Sequence, residues 1–201
     1  MAPDFDRLAT DDWTLIRDFL STEEVRALQT YWEKSATAAR PARVSANVSL
    51  NTEIRGDQIL WLNENEDPAV DALFVRLHQL RRELSEALFL NLHDFEAHLA
   101  CYRPGARYQA HIDQPRKNGQ AEGRRLISLV LYLNSNWRPE DGGELILWAE
   151  DGQSERARIA PVAGTAALFR SDTVLHEVSE AHAPRLSIAV WFRRSPTTGI
   201  F

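Results

Sequence analysis

The chain has 201 residues, 44% of them hydrophobic, which suffices for one domain with a buried core. A formal net charge of −6 argues against general nucleic-acid binding, and the longest apolar runs are far too short to span a membrane. A single cysteine, Cys101, rules out an intrachain disulfide framework and points to a reducing, cytoplasmic setting; the first residues lack the basic and apolar stretches of a signal peptide.

The first third reads as helical cover. Ser21 and Glu24 have capping-box spacing, and Leu20 can staple onto Val25. Val25, Leu28 and Trp32 then recur at helical intervals. Trp13, Trp32 and Trp148 are expected in the core. A polar, small-residue stretch runs from Ser35 to Thr52. It leads into Ile54-Arg55-Gly56-Asp57 and a short strand with Ile59 and Trp61. Asp67-Pro68 opens a second helix, with Val70, Leu73, Phe74, Leu77, Leu84 and Leu88 as its apolar face and an end near Asn91.

After about residue 94 the pattern turns to β. Phe95 to Tyr102, Arg125 to Leu133, Glu144 to Trp148, Thr165 to Phe169 and Leu186 to Phe192 suit short strands. Pro-Gly, Asp-Gly-Gly and Asp-Gly turns separate them. Such a series suggests a sandwich or jelly roll. The expected organisation is one domain over 1–201, with helical support and a long loop in 1–93 and the β core in 94–193. In the last strand Arg185, Ser187, Ala189 and Trp191 share one face, while Leu186, Ile188, Val190 and Phe192 share the other. The second face can pack under the helices, and the first can line a pocket.

The candidate chemistry starts at His111-x-Asp113. On a strand the two side chains point the same way. His176 follows sixty-three residues after Asp113. Two imidazoles and a carboxylate can hold one face of an iron(II) ion and leave three positions open. Zinc is the competing metal, but the cysteine-poor set and the spare arginine favour an open iron site. Arg185 lies nine residues past His176, and its fixed fork suits a dicarboxylate cosubstrate. Tyr132 could share that carboxylate. Tyr102 and Tyr108 flank the turn before His111, as rim packing or substrate contacts. His78, His93, His98 and His182 lack matching spacing and read as structural or surface residues. Arg103, Arg107, Arg116, Lys117, Arg124 and Arg125 could give the site a basic rim.

Further motifs narrow the reading: Ile54-Arg55-Gly56-Asp57 with Trp61, Cys101-Tyr102-x-Pro-Gly, and Tyr108-x-x-His111-x-Asp113. They continue with Tyr132-Leu133-Asn134-x-x-Trp137, Gly142-Gly143-x-Leu145, Ser171-Asp172 and His176-Glu177-Val178, and close with Ala181, Arg185 and Trp191. From about Asp12 to Phe192 the chain resembles the 2-oxoglutarate- and iron(II)-dependent oxygenases. Within them it resembles the prolyl-hydroxylase branch, which contains the hypoxia-inducible-factor hydroxylases and bacterial relatives. The resemblance implies an α+β, mainly β fold: a double-stranded β-helix (jelly-roll) core with the N-terminal helices packed on one sheet. It implies Fe(II), 2-oxoglutarate and O2 as reactants, with ascorbate as a stimulant.

By the same resemblance, His111, Asp113 and His176 bind iron. Arg185 and Tyr132 hold the distal carboxylate of 2-oxoglutarate, with Tyr102 beside the metal. Ser35 to Asp57 would be a mobile finger over a bound peptide, its base anchored by an Arg55–Asp57 pair, and Trp191 would face substrate. The substrate implied is a proline in a protein, with elongation factor Tu suggested by the bacterial members; no nucleic acid or membrane partner is expected. The chain departs from the animal sensors in a longer Gln114–Arg124 segment and in Ala189, where they carry threonine. Both departures bear on oxygen-sensing kinetics and substrate choice. Two rival readings remain at this point: an oxygenase of a free amino acid or other small molecule, and a non-enzymatic jelly-roll sensor of metal or 2-oxoglutarate.

Overall fold

The computed structural model describes residues 3–42, 55–114, 116–117, 120–121 and 124–195. A short helix, α1 (Phe5–Asp11), leads into strand β1 (Trp13–Ile16). Helix α2 (Thr22–Ser35), a 3-10 turn (Ala36–Ala38), β2 (Arg40–Pro41) and β3 (Asp57–Trp61) follow. The long helix α3 (Pro68–Ala87) precedes β4 (Leu92–Tyr102), β5 (Tyr108–His111), β6 (Arg116–Lys117) and β7 (Gln120–Ala121). The remaining strands are β8 (Arg125–Tyr132), β9 (Leu145–Trp148), β10 (Glu155–Ile159), β11 (Ala166–Arg170), β12 (His176–Val178) and β13 (Arg185–Arg194).

Two antiparallel sheets face each other. The larger has the order β1-β11-β8-β13-β4-β3-β2, the smaller β10-β9-β12-β5. This is the expected double-stranded β-helix. The alternation read in the last strand holds: Ile188, Val190 and Phe192 join Leu99, Ile127 and Leu131 in a core shared with the helices. Helix α3 buries Val70, Leu73, Phe74, Leu77, Leu80 and Leu84 there. Each such side chain contributes about 1.5–3 kcal/mol by leaving water. A second cluster, with Trp13, Tyr132, Leu145, Leu147, Ile159 and Phe169, fills the space between the sheets.

The helix ends follow the sequence closely. Glu24 N donates to Ser21 Oγ while Ser21 N donates to Glu24 Oε2, which completes the capping box. Asp67 accepts from Ala69 N and Pro68 occupies the first helical turn of α3. That helix stops at Ala87, four residues before Asn91, and hands over directly to β4. In α2 it is Tyr31, more than the half-buried Trp32, that fills the core. Trp148 is likewise half-buried.

The stretch expected to be a loop begins with regular structure. Ser35 ends α2, and Arg40–Pro41 pairs with β3 through Arg40↔Ile59. The central part of the expected finger, residues 43–54, lies outside the described residues, as does part of the Gln114–Arg124 segment. Among the described residues, no helix is long and apolar enough to cross a membrane.

Candidate active site

The register of the large sheet assembles the site row by row. Asp57 on β3, Tyr102 on β4 and Arg185 on β13 form one row of direct partners. Ile59, Ala100, Ser187 and Tyr132 form the next; Trp61, His98, Ala189 and Val130 form the third. Trp191 lies opposite both Glu96 and Ser128. Because side chains alternate, residues two apart on each strand enter the same space. The result is a cavity whose lining includes Tyr102, His98, Arg185, Ser187, Ala189 and Trp191.

The small sheet supplies the facing wall. His176 on β12 is the direct partner of His111 on β5, and Asp113 follows just beyond the strand end. One ligand atom from each of His111, Asp113 and His176 falls within 4.8 Å of the others. His111 Nε2 is 3.5 Å from Asp113 Oδ1, and His176 Nε2 is 3.8 Å from Asp113 Oδ2. Both rings are oriented from behind. His111 Nδ1 meets Gln109 O at 2.8 Å and His176 Nδ1 meets Val174 O at 3.0 Å. A carbonyl only accepts, so each Nδ1 carries the hydrogen and each Nε2 keeps its lone pair for a metal.

The electrostatics agree. Burial, reinforced by His111, pushes His176 down to about 4, against the pull of Asp113, so the ring is neutral and able to coordinate. Burial pushes Asp113 up, but His176, His111 and the Ser128 hydroxyl together hold it well below the usual carboxylate range. The three donors, two nitrogens and one oxygen with no thiolate, fit an iron(II) ion with open positions.

Arg185 is 3% exposed and faces no carboxylate within ion-pair distance among the described residues. Its Nε donates to Gly143 O at 2.7 Å and Nη1 to Ser187 Oγ at 2.8 Å. Nη2 and the fully buried Tyr132 Oη have no hydrogen-bond partner. The guanidinium carbon lies 5.4 Å from the Tyr132 ring centre and 4.9 Å from that of Tyr102. A buried cation and two orphaned polar groups are costly unless an anion completes them. The carboxylate of 2-oxoglutarate fits that requirement.

The Tyr-Leu-Asn-x-x-Trp block and the Gly-Gly pair acquire a physical reason here. Asn134 accepts from Leu186 N at 2.8 Å and donates to Leu186 O at 3.2 Å, which pins the start of β13. Trp137 Nε1 donates to Gly142 O at 2.8 Å. Gly143 has φ +72°, and a Cβ there would come within 2.8 Å of Arg185 Cδ. Only glycine allows both the backbone turn and the arginine to pass.

At the other end of the cavity Arg55 grips Asp57 as a two-pronged pair, with Nε to Oδ1 at 2.8 Å and Nη2 to Oδ2 at 3.1 Å. The Arg55 guanidinium lies 4.7 Å from the Tyr108 ring centre, and Tyr108 stacks on His111 with centroids 3.7 Å apart. Trp61, almost half exposed, packs edge-on against His98. Nearly all the sequence-derived candidates therefore meet in one cavity: His111, Asp113, His176, Arg185, Tyr102, Arg55, Asp57 and Trp191 line it, and Tyr132 backs it.

Two expectations need correction. His98, read as structural or surface, is 2% exposed and lines the cavity, with Nδ1 lacking a partner. Its packing between Trp61 and Trp191 depends on long-range register, which no local spacing reveals. The basic rim is also smaller than expected. Arg124 pairs with Asp94 at 3.0 Å; Arg125 pairs with Glu96 at 2.6 Å and lies 3.8 Å from the Trp191 ring centre. Both charges are spent on fastening β4, β8 and β13.

Comparison with known proteins agrees with this geometry. Residues 97–193 match the 2OG-Fe(II) oxygenase superfamily model. Mouse Egl nine homolog 1 is 30% identical over 192 residues, covering 89% of this chain and 46% of that protein. The chain thus spans a little under half of that relative. The crystal structure of a Pseudomonas putida prolyl-4-hydroxylase is 40% identical, with a TM-score of 0.85, covering 94% of this chain and 97% of the other. A Trichoplax adhaerens prolyl hydroxylase, solved with a hypoxia inducible factor peptide fragment, is 28% identical with a TM-score of 0.79, covering 94% and 86%. With 40% identity across nearly the whole of the Pseudomonas enzyme and the family match over its β core, the chain belongs to the 2OG-Fe(II) oxygenase superfamily, in the prolyl-hydroxylase branch, whose chemistry uses Fe(II), 2-oxoglutarate and O2.

Proposed function

We propose that the chain is a single-domain dioxygenase that hydroxylates a prolyl residue in a protein substrate. The observation that carries this reading is Arg185: a buried guanidinium with an unpartnered Nη2, beside an unpartnered Tyr132 hydroxyl, in the cavity that holds the three candidate metal ligands. His111, Asp113 and His176 would hold iron(II), and Arg185 with Tyr132 would hold the far carboxylate of 2-oxoglutarate. Iron(II), when bound, would let O2 oxidise both 2-oxoglutarate, to succinate and CO2, and the substrate, with one oxygen atom entering succinate and the other the new hydroxyl group.

The chain's own residues bind, orient and exclude water. The Nδ1 hydrogen bonds of His111 and His176 fix both rings before any ligand arrives, which removes an ordering cost from metal binding. Tyr102, Ala100 and Val178 form a dry wall beside the cosubstrate position. Trp191 and the neutral His98 ring, tilted 44° to each other, line the cavity with uncharged aromatic surface. An aromatic wall of this type suits a prolyl ring, which is apolar and stiff. The Arg55–Asp57 pair would hold the mouth in shape while a peptide docks.

The protein-substrate reading is supported by the likeness to a hydroxylase solved with a peptide. Elongation factor Tu is the first protein to test, on the strength of the resemblance to bacterial members. A cytoplasmic setting accompanies this reading, because a single free cysteine and ferrous iron both suit a reducing compartment. The deciding experiment is mass spectrometry of the host proteome with and without active enzyme, searching for +16 Da on proline. It is paired with succinate formation in the presence and absence of the peptide found. Succinate release that never depends on a polypeptide would transfer the reading to a small-molecule substrate.

A further inference from the structure

Asp113 is held from behind by two serines that the reaction described above does not use. Ser128 Oγ lies 2.6 Å from Asp113 Oδ2 and 2.8 Å from Ser171 Oγ. Both serines are buried. Counting hydrogens fixes the direction of the chain. An ionised carboxylate has no hydrogen to give, so Ser128 donates to Asp113. A hydroxyl has one hydrogen, so Ser171 must in turn donate to Ser128. The chain therefore runs one way, from Ser171 to Ser128 to Asp113, and ends on Oδ2. The other oxygen, Oδ1, lies 3.5 Å from His111 Nε2, and Oδ2 itself lies 3.8 Å from His176 Nε2.

Ser171 grips the same segment through its backbone. Its carbonyl accepts the N–H of Gln114, the residue after Asp113, at 2.8 Å, and its own N–H donates to Leu126 O at 3.0 Å. It thus ties the end of β11 both to β8 and to the ligand-bearing turn. Ser128 sits across the sheet from Trp191 on one side and Phe169 on the other, so its position is set by the central strands. A short hydrogen bond from a rigid, buried hydroxyl to a carboxylate is a charge-assisted contact that fixes the carboxylate's rotation.

We propose that Ser128 and Ser171 are positioning residues for the metal ligand Asp113. Their hydroxyl chain binds Oδ2, fixes the rotation of the carboxylate and holds its two oxygens beside His111 Nε2 and His176 Nε2, where a metal would bind. The proposal rests on reading the His111, Asp113 and His176 cluster as the iron site. Its functional consequence is preorganisation: a carboxylate already fixed beside the two imidazoles needs no reordering when a metal binds. Hydrogen-bond partners of metal ligands change metal affinity by about 10–100-fold when removed.

The test measures metal binding without turnover. Mn(II), which is not oxidised under these conditions, is titrated into the metal-free chain and followed by electron paramagnetic resonance. The variants are Ser128→Ala, Ser128→Thr, Ser171→Ala and His111→Ala, with thermal unfolding of each metal-free form as a check on folding. Ser128→Ala should raise the Mn(II) Kd by about 10–100-fold. Ser171→Ala should raise it less, in the same direction, because Ser128 keeps its bond to Asp113. Ser128→Thr retains the hydroxyl and should stay near the parent value. Parent-like affinity in Ser128→Ala, or equal losses in the alanine and threonine variants, would overturn the proposal. If the parent chain binds Mn(II) no better than His111→Ala, the iron-site reading itself fails and takes the positioning role with it.

Discussion

His176 and His111 are direct partners across the antiparallel β12–β5 pair, with ring centres 4.2 Å apart. This one pairing brings two residues sixty-five positions apart to one point, and Asp113 completes the set because it follows His111 on the same face. Replacing His111 or Asp113 by alanine should abolish iron(II) binding. The loss should exceed the about 10–100-fold caused by removing outer hydrogen-bond partners. Neither side chain belongs to an apolar core cluster, so the circular dichroism spectrum should stay native. Anaerobic iron(II) titration beside circular dichroism checks both statements. Near-native affinity in either variant would remove that residue from the ligand set.

Arg185→Lys keeps a positive charge and loses the fork. Lysine offers one compact ammonium in place of three separately aimed groups: Nε on Gly143, Nη1 on Ser187, and the open Nη2. Losing a charged two-pronged hydrogen bond costs about 1.5–3 kcal/mol. The apparent KM for 2-oxoglutarate should rise by about tenfold or more. An unchanged KM would show that Arg185 serves the fold and not the cosubstrate.

Strong local signals carried much of this structure into the sequence. The capping box at Ser21, the Asp67-Pro68 start of α3 and the alternation from Arg185 to Phe192 are all local, and all recur in the fold. Strand β12 is three residues long, and β1 is a four-residue edge. Neither is long enough to display a period, so neither was legible. The three candidate ligands and Arg185 were legible from residue type and spacing. His98 and Ser128 were not, because their places in the site arise from register. His98 reaches the cavity wall as the partner of Ala189 and Trp61, and Ser128 reaches Asp113 as the partner of Trp191 and Phe169. A pairing between distant strands leaves no mark on the residues beside it in sequence.

His98 should make stability fall with acid. Burial, with repulsion from Arg55 and Arg125 outweighing the pull of Asp57 and Asp113, pushes the ring down to about 3. The unfolded chain takes up that proton at the ordinary histidine value, about 6.5, so between the two values the unfolded state binds more protons. Stability therefore rises with pH across this window and is lost as pH falls below about 6.5. At pH 5 the loss from this one ring should be about 2 kcal/mol. His176, pushed down to about 4, adds a slope of the same sign. Comparing the metal-free parent with His98→Gln isolates the first contribution, because glutamine stays neutral throughout. Denaturant titrations from pH 4.5 to 7.5 should show a shallower slope in the variant; parallel slopes would mean that His98 is protonated in the fold.

The Arg55–Asp57 pair links the mouth to the metal side: Asp57 holds Arg55, Arg55 lies over Tyr108, and Tyr108 stacks on His111. Arg55→Ala leaves the Asp57 carboxylate buried and alone, which costs about 3–5 kcal/mol. The unfolding temperature should therefore drop, and a fall in activity alone would say little. The double variant Arg55→Ala with Asp57→Asn removes the stranded charge and should recover part of that stability. It should not recover the mouth, because the two-pronged grip is gone. Peptide-dependent succinate formation should then remain low, while the slower release of succinate without peptide stays close to the parent, since the metal ligands and Arg185 are untouched. The two rates, measured in the parent and the double variant, separate docking from chemistry. If both fall in proportion, the pair is scaffold, and a free amino acid or another small molecule becomes the better substrate reading.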